Sequence, residues 1–153
     1  MRAEIINPFI SATIEVLKSM AYTDSIPGKP FLKNDYSATG DVTSIVGITG
    51  EPDATFSITF DSESILCIVS KMFGETLTEL TQEVADATGE IVNMISGKAR
   101  REMDKKGIHY DGAIPTIITG QGHEIKHISE GPVIAIPFQA EKGSFTMEIC
   151  FKS

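Results

Sequence analysis

The chain has 153 residues, 41% of them hydrophobic, enough for a single domain spanning 1–153 whose core needs no disulfide or metal staples. A formal net charge of −8, from 13 Lys and Arg against 21 Asp and Glu, argues against binding a nucleic-acid backbone. No apolar run approaches the roughly 20 residues of a membrane span and no signal-like segment opens the chain, so a cytoplasmic protein with no membrane partner is expected.

Asn7-Pro8 predicts the start of a first helix, with Asn as cap and Pro at the first helical position. Phe9, Ile10, Thr13, Ile14, Val16, Leu17 and Met20 give that helix a broad apolar face as far as Ala21. Residues 24–35, with Pro27, Gly28 and Pro30, predict an irregular connection. Two strands are expected near 37–49 and 54–60. In the second, Ala54, Phe56, Ile58 and Phe60 alternate with Thr55, Ser57 and Thr59, the period of a half-buried strand. A short helix from Ser62 to Phe73 is ended by Gly74, and a long one from Thr81 to Lys106 is ended by Gly107. Further strands are expected near 108–120, 123–128, 132–141 and 144–152. Cys67 and Cys150 both lie in apolar runs and predict small buried hydrophobes.

The strand pairs repeat. Residues 42–62 slide onto 133–153 without a gap, so that Val42 meets Val133, Ile45 meets Ile136 and Phe60 meets Phe151. A pseudo-twofold repeat would place a copy of any site on the first helix.

The long helix carries the most informative pattern. Positions three and four apart stack on one helical face, so Asp86, Glu90, Asn93 and Gly97 form a stripe. Val84, Thr88, Ile91, Val92, Ile95, Ala99 and Met103 occupy the opposite, core-facing side. A carboxylate and a carboxamide thus point together away from the core. Gly89 and Gly97 flank them although a mid-helix Gly costs about 1 kcal/mol against Ala, which suggests that bulk has been removed where another molecule approaches. The basic run from Lys98 to Lys106 is expected to stabilise the helix C-terminus rather than to form a binding patch.

An Asp or Ser, Glu four positions on, Asn three further and Pro 22 positions beyond the Asn resembles the CheC/CheX/FliY family, which dephosphorylates the chemotaxis response regulator CheY. The matching residues are Asp86, Glu90, Asn93 and Pro115. The resemblance implies an α+β fold, a mainly antiparallel sheet packed against about three helices, and a homodimer joined partly by sheet edges. It implies that Asn93 orients the attacking water and that Glu90 pairs with the receiver's lysine. Asp86, Gly89 and Gly97 would be supporting positions, and Pro115 architectural. The chain would bring no cofactor of its own, with Mg²⁺ supplied by the phosphorylated receiver domain. On the first helix, Ser11 and Glu15 match the pattern but Lys18 stands where Asn is required. One working site, as in CheX-like members, follows.

Two other readings remain open on sequence. His123-Glu124-Ile125-Lys126-His127 spells a zinc-peptidase signature, which needs both His123 and His127 on one helix face with Glu124 as base. The glycines on either side leave room for barely two turns. A non-catalytic module that binds the receiver without hydrolysing it is the other alternative.

Overall fold

The computed structural model describes residues 3–35, 37–38, 40–112, 114–120, 123–124 and 131–152. Its elements are α1 (Ala3–Ala21), β1 (Ile26–Pro27), β2 (Phe31–Lys33), β3 (Val42–Thr49), β4 (Ala54–Phe60), α2 (Ser62–Phe73), α3 (Gln82–Asp104), β5 (Asp111–Gly112), β6 (Thr116–Thr119), β7 (Val133–Gln139) and β8 (Ser144–Phe151). The fold is α+β, three helices against one antiparallel eight-stranded sheet.

Local chemistry sets the helix ends. Asp61 caps α2, its Oδ1 accepting from Ser64 N at 2.7 Å, and Gly74 closes the helix in the left-handed region at φ 69°. Thr81 caps α3 by accepting from Val84 N at 3.4 Å. The start of α1 differs from expectation, since the helix begins at Ala3 and holds Pro8 inside it. Ile5 and Ile6 explain this, because both are buried beside Phe9 and reach the core only if the helix starts a turn earlier. Proline this close to the N-terminus forfeits one hydrogen bond, to Glu4 O.

The central strands run in the order β7-β8-β4-β3, two hairpins joined antiparallel through β4 and β8. Short strands flank each outer edge, β1 and β2 on β7, β5 and β6 on β3. The expected repeat is therefore visible in the sheet, but its ungapped alignment slips. In β3–β4, Val42 pairs with Phe60, whereas in β7–β8 Val133 pairs with Cys150 rather than Phe151. The two hairpins differ by one residue, and one residue turns a strand over. In β7 the core-facing residues are thus Ile134, Ile136 and Phe138, and Ile45 and Ile136, matched in the sequence, point to opposite faces.

Residues 24–35 are more regular than expected. β1 and β2 are edge pieces interrupted by Gly28 and Pro30, and Gly28 N donates to Pro137 O at 2.7 Å. Pro27 is tolerated because an edge strand can spare a donor. β4 also differs from its half-buried reading, for every residue of it is buried, Thr55, Ser57 and Thr59 included. The helices cover one face; residues 37–38 and 123–124 pair over part of the other through Ser37↔Glu124 and Ala38 N→His123 O. Cys150 is buried, its thiol pushed up by burial, while Cys67 is only half-buried.

On that second face Lys33 Nζ and Glu148 Oε2 form an ion pair at 2.9 Å, with side chains 7% and 2% exposed. It ties the β2 edge to central β8. Removing Glu148 leaves the buried Lys33 charge in a low dielectric, while replacing both with apolar chains does not. Glu148→Met should lower unfolding free energy by about 3 kcal/mol, and Lys33→Met/Glu148→Met should recover part of it. Equal denaturation midpoints for the single and double variants would contradict this account.

Candidate active site

The core-facing stripe of α3 is buried along its length, with Val84, Ile91, Val92, Ile95, Ala99 and Met103 all inside. That fixes the rotation of the helix and leaves Asp86, Glu90 and Asn93 exposed on the far side. Gln82 Nε2 donates to Asp86 Oδ1 at 2.8 Å, so Asp86 is held along the helix. Glu90 and Asn93 make no hydrogen bond or ion pair among the described residues. Both lie about one turn apart on a rigid element with their polar atoms uncommitted.

The two glycines play different parts. A Cβ on Gly89 would lie 3.1 Å from Ile117 Cδ1, so Gly89 is where α3 comes close to β6. The space it spares is filled by this chain's own isoleucine, not left for a visitor. Gly97 is half-open, and a Cβ there would lie 3.5 Å from Arg101 Nη1 and 3.8 Å from Arg100 Nη2. Two guanidinium groups therefore fold back over it, as helical side chains lean toward the N-terminus.

Pro115 stands between β5 and β6, where the pairing with β3 shifts by one residue, from Ile48↔Gly112 to Ile45↔Thr116. A proline fits such an interruption, since it offers no donor to the ladder. Gly112 sits against the Arg100 guanidinium and Ile117 against Gly89. Pro115 is thus bracketed by contacts to positions 89 and 100, about three turns of α3 with Asn93 between them. Ile114 beside it is 90% exposed.

The first-helix copy is occupied by other contacts. Glu15 pairs with Lys98 of α3 at 2.9 Å and Lys18 lies 3.9 Å from Asp24. The zinc signature fares poorly. Glu124 forms a β-bridge, not a helix, and both ring nitrogens of His123 are engaged, Nδ1 with Gly120 O and Nε2 with Thr43 Oγ1. A carbonyl only accepts, so Nδ1 carries a proton, and in the neutral ring Nε2 accepts from the threonine. His127 lies outside the described residues. Among the described residues no group of three or more His, Cys, Asp or Glu is placed to hold a metal ion. His109 sits between Asp104 at 3.0 Å and Asp111 at 3.2 Å, and the hydrogen bond to Asp104 raises its pKa.

Residues 42–139, which include all of α3 and Pro115, match the family described as chemotaxis phosphatase CheX. The chain belongs to the CheX family. It is 28% identical over 155 residues to the CheY-P phosphatase CheX of Thermotoga maritima, covering 100% of this chain and 99% of that protein. The crystal structure of CheX from Desulfovibrio desulfuricans is 43% identical with a TM-score of 0.89, over 97% of this chain and 99% of that one. A CheX–CheY–BeF₃–Mg²⁺ complex from Borrelia burgdorferi is 28% identical with a TM-score of 0.82, over 99% and 100% of the two chains.

For a CheX-family helix, the sequence reading found the exposed stripe but missed its wall, the Ile114–Ile117 segment, and the guanidinium pair over Gly97. The glycines were the signal for both. Their unlike surroundings predict unlike tolerance. Gly97→Ala makes an ordinary contact and gains up to about 1 kcal/mol of helix propensity, whereas Gly89→Val crowds Ile117 and should cost about 2 kcal/mol. Thermal unfolding of the two variants checks this, and comparable losses in both would refute it.

Proposed function

We propose that this chain hydrolyses the aspartyl phosphate of a CheY-type receiver domain, as one domain carrying one site on α3. The carrying observation is the exposed pair Glu90 and Asn93, without a partner among the described residues, on a rigid helix of a CheX-family fold. The name of the Thermotoga relative and the CheX–CheY complex from Borrelia support the substrate.

Asn93 would enter the receiver's site and hold a water in line with the scissile bond. Its carboxamide oxygen accepts from that water while its NH₂ remains free to donate, and neither role needs a shifted pKa. The water oxygen bonds to phosphorus as the bond from phosphorus to the aspartyl oxygen breaks. Inorganic phosphate and the receiver's free carboxylate result, and the water's proton passes to phosphate or solvent. Positioning and charge stabilisation supply most of the catalysis in phosphoryl transfer. Glu90 would pair with the receiver's lysine and set the register of docking. Mg²⁺, present in the Borrelia complex, would be held by the receiver and neutralise charge on the phosphoryl oxygens. Asp86, Gly89, Gly97 and Pro115 shape and orient the helix.

A homodimer is part of the proposal. The β1–β2 edge exposes Ile26 at 67%, Phe31 at 49% and Leu32 at 70%. An uncovered apolar edge strand is a template for pairing with another chain. Leu32→Lys with Phe31→Glu should convert a dimer to a monomer in sedimentation equilibrium; a wild-type protein that sediments as a monomer at micromolar concentration rejects the dimer.

Asn93→Ala should abolish accelerated decay of Mg²⁺-bound, phosphorylated CheY while retaining affinity for it, and Glu90→Ala should weaken affinity. Phosphate release measured with each variant tests the assignment. Full turnover by Asn93→Ala would end the proposed mechanism, and no acceleration by wild-type protein would leave a binding module.

A further inference from the structure

The basic run at the end of α3 is not uniform. Lys98 is neutralised by Glu15 at 2.9 Å and Lys105 by Glu102 at 3.4 Å. Arg100 and Arg101 have no acidic partner among the described residues, although the chain carries 21 carboxylate side chains. Arg100 Nε is buried without a hydrogen-bond partner among the described residues. Both guanidinium groups converge on Gly97, with Nη atoms 3.5 and 3.8 Å from where its Cβ would be. Gly97 continues the stripe of Asp86, Glu90 and Asn93, about 6 Å of helix rise beyond the Asn.

We infer that Arg100 and Arg101 form an anion-binding fork over Gly97, a subsite that takes a carboxylate of the receiver domain when Asn93 reaches its phosphoryl group. The inference rests on the receiver-phosphatase reading of the same helix. Planar guanidinium donors match carboxylate and phosphate, and two with no acidic partner among the described residues can take one from another molecule. The choice between the two anions follows from position. Asn93 would take the phosphoryl group, so a group one turn away meets the rim around it. Mg²⁺ is bound through carboxylates as well as phosphate, which makes that rim rich in acidic side chains. Gly112 backs the fork from the other side. A Cβ there would lie 2.8 Å from Arg100 Cζ, so Arg100 is held in place by the β5 backbone while Arg101 stays exposed. Arg100 is the fixed half of the fork and Arg101 the adaptable half.

The fork also bears on approach. Two acidic proteins repel, and a locally positive group beside the inserted residue offsets that repulsion where the surfaces meet. Its effect should therefore appear in association and in salt dependence, not in the chemical step.

The test uses Arg101, whose exposure makes its replacement safe for folding. Affinity is measured on the Asn93→Ala background with beryllofluoride-activated CheY, and turnover on the otherwise unaltered protein with phosphorylated CheY. Arg101→Gln should weaken binding and raise KM about tenfold with kcat within twofold, and should flatten the salt dependence of KM. Arg101→Glu should be worse, and Arg101→Lys should restore part of the loss. Replacing receiver acids around the phosphorylation site one at a time should reveal one whose loss is no longer additive with Arg101→Gln. Unchanged affinity and salt dependence in Arg101→Gln would overturn the inference even if wild-type protein is an active phosphatase. Competition by millimolar inorganic phosphate that disappears in Arg101→Gln, with receiver affinity unaltered, would overturn it in favour of a free-anion site. Absent turnover with Arg101-dependent affinity would instead reject only the catalytic reading.

Discussion

The close approach of α3 to β6 governs what this surface can present. A helix lying on a sheet can roll about its axis until side chains stop it. Here Gly89 lets Ile117 come to within 3.1 Å of a Cβ position, and the buried stripe from Val84 to Met103 fills the remaining space. A larger residue at 89 would lift the helix from β6 and turn Glu90 and Asn93 with it. The helix propensity surrendered at Gly89, about 1 kcal/mol, is thus offset by packing. Gly112 serves the same purpose further along, where the β5 backbone closes on Arg100. Contacts at Gly89 and Gly112, each a glycine backbone against a side chain, hold the intervening three or so turns of α3 against the segment that contains Pro115.

The two halves of the sheet show how a repeat can persist in architecture while its chemistry diverges. The hairpins, their antiparallel junction and their flanking short strands are all paired across the pseudo-twofold. Of the helices, α3 lies on β3 and β6, and α1 reaches the sheet through Phe9 on Phe56 and Thr13 on Met147. Yet Glu15 of α1 is spent on Lys98 of α3, and Lys18 replaces the amide. The contact between the helices consumes the first copy of the pattern in the same act that braces the second. A single working site follows from that asymmetry in the proposed reaction.

Much of the fold was legible because its signals are local. Asp61 and Gly74 bound α2, Thr81 opens α3, and strict alternation marks β4; each needs only its neighbours in sequence. The failures needed distant information. Pro8 looked like a helix start until the burial of Ile5 and Ile6 outweighed one lost hydrogen bond. Thr55, Ser57 and Thr59 looked solvent-facing because nothing in their own strand announces a second cover. The repeat was visible but its register was not, since one residue of hairpin length reverses a strand's faces without disturbing its alternation. At the candidate site, the positions of Asp86, Glu90 and Asn93 followed from helical geometry alone. The roles of the glycines did not, because an absent side chain is defined only by what fills or overhangs its place, Ile117 in one case and two arginines in the other.

The site's economy lies in leaving polar groups unspent on a rigid support. Glu90 and Asn93 are short side chains on a 23-residue helix, so docking freezes few rotors and moves no backbone. Had either bonded to a neighbour, binding would first have to break that contact, and affinity would fall accordingly. Asp86 illustrates the alternative, since its bond to Gln82 fixes it along the helix and suits it to support rather than insertion. An amide that is neutral at every physiological pH can be exposed in this way without attracting counterions or shifting its protonation, which an exposed catalytic carboxylate or imidazole could not do. In the proposed reaction the catalytic demand on this chain reduces to geometry, and that geometry is set by how closely α3 lies against β6.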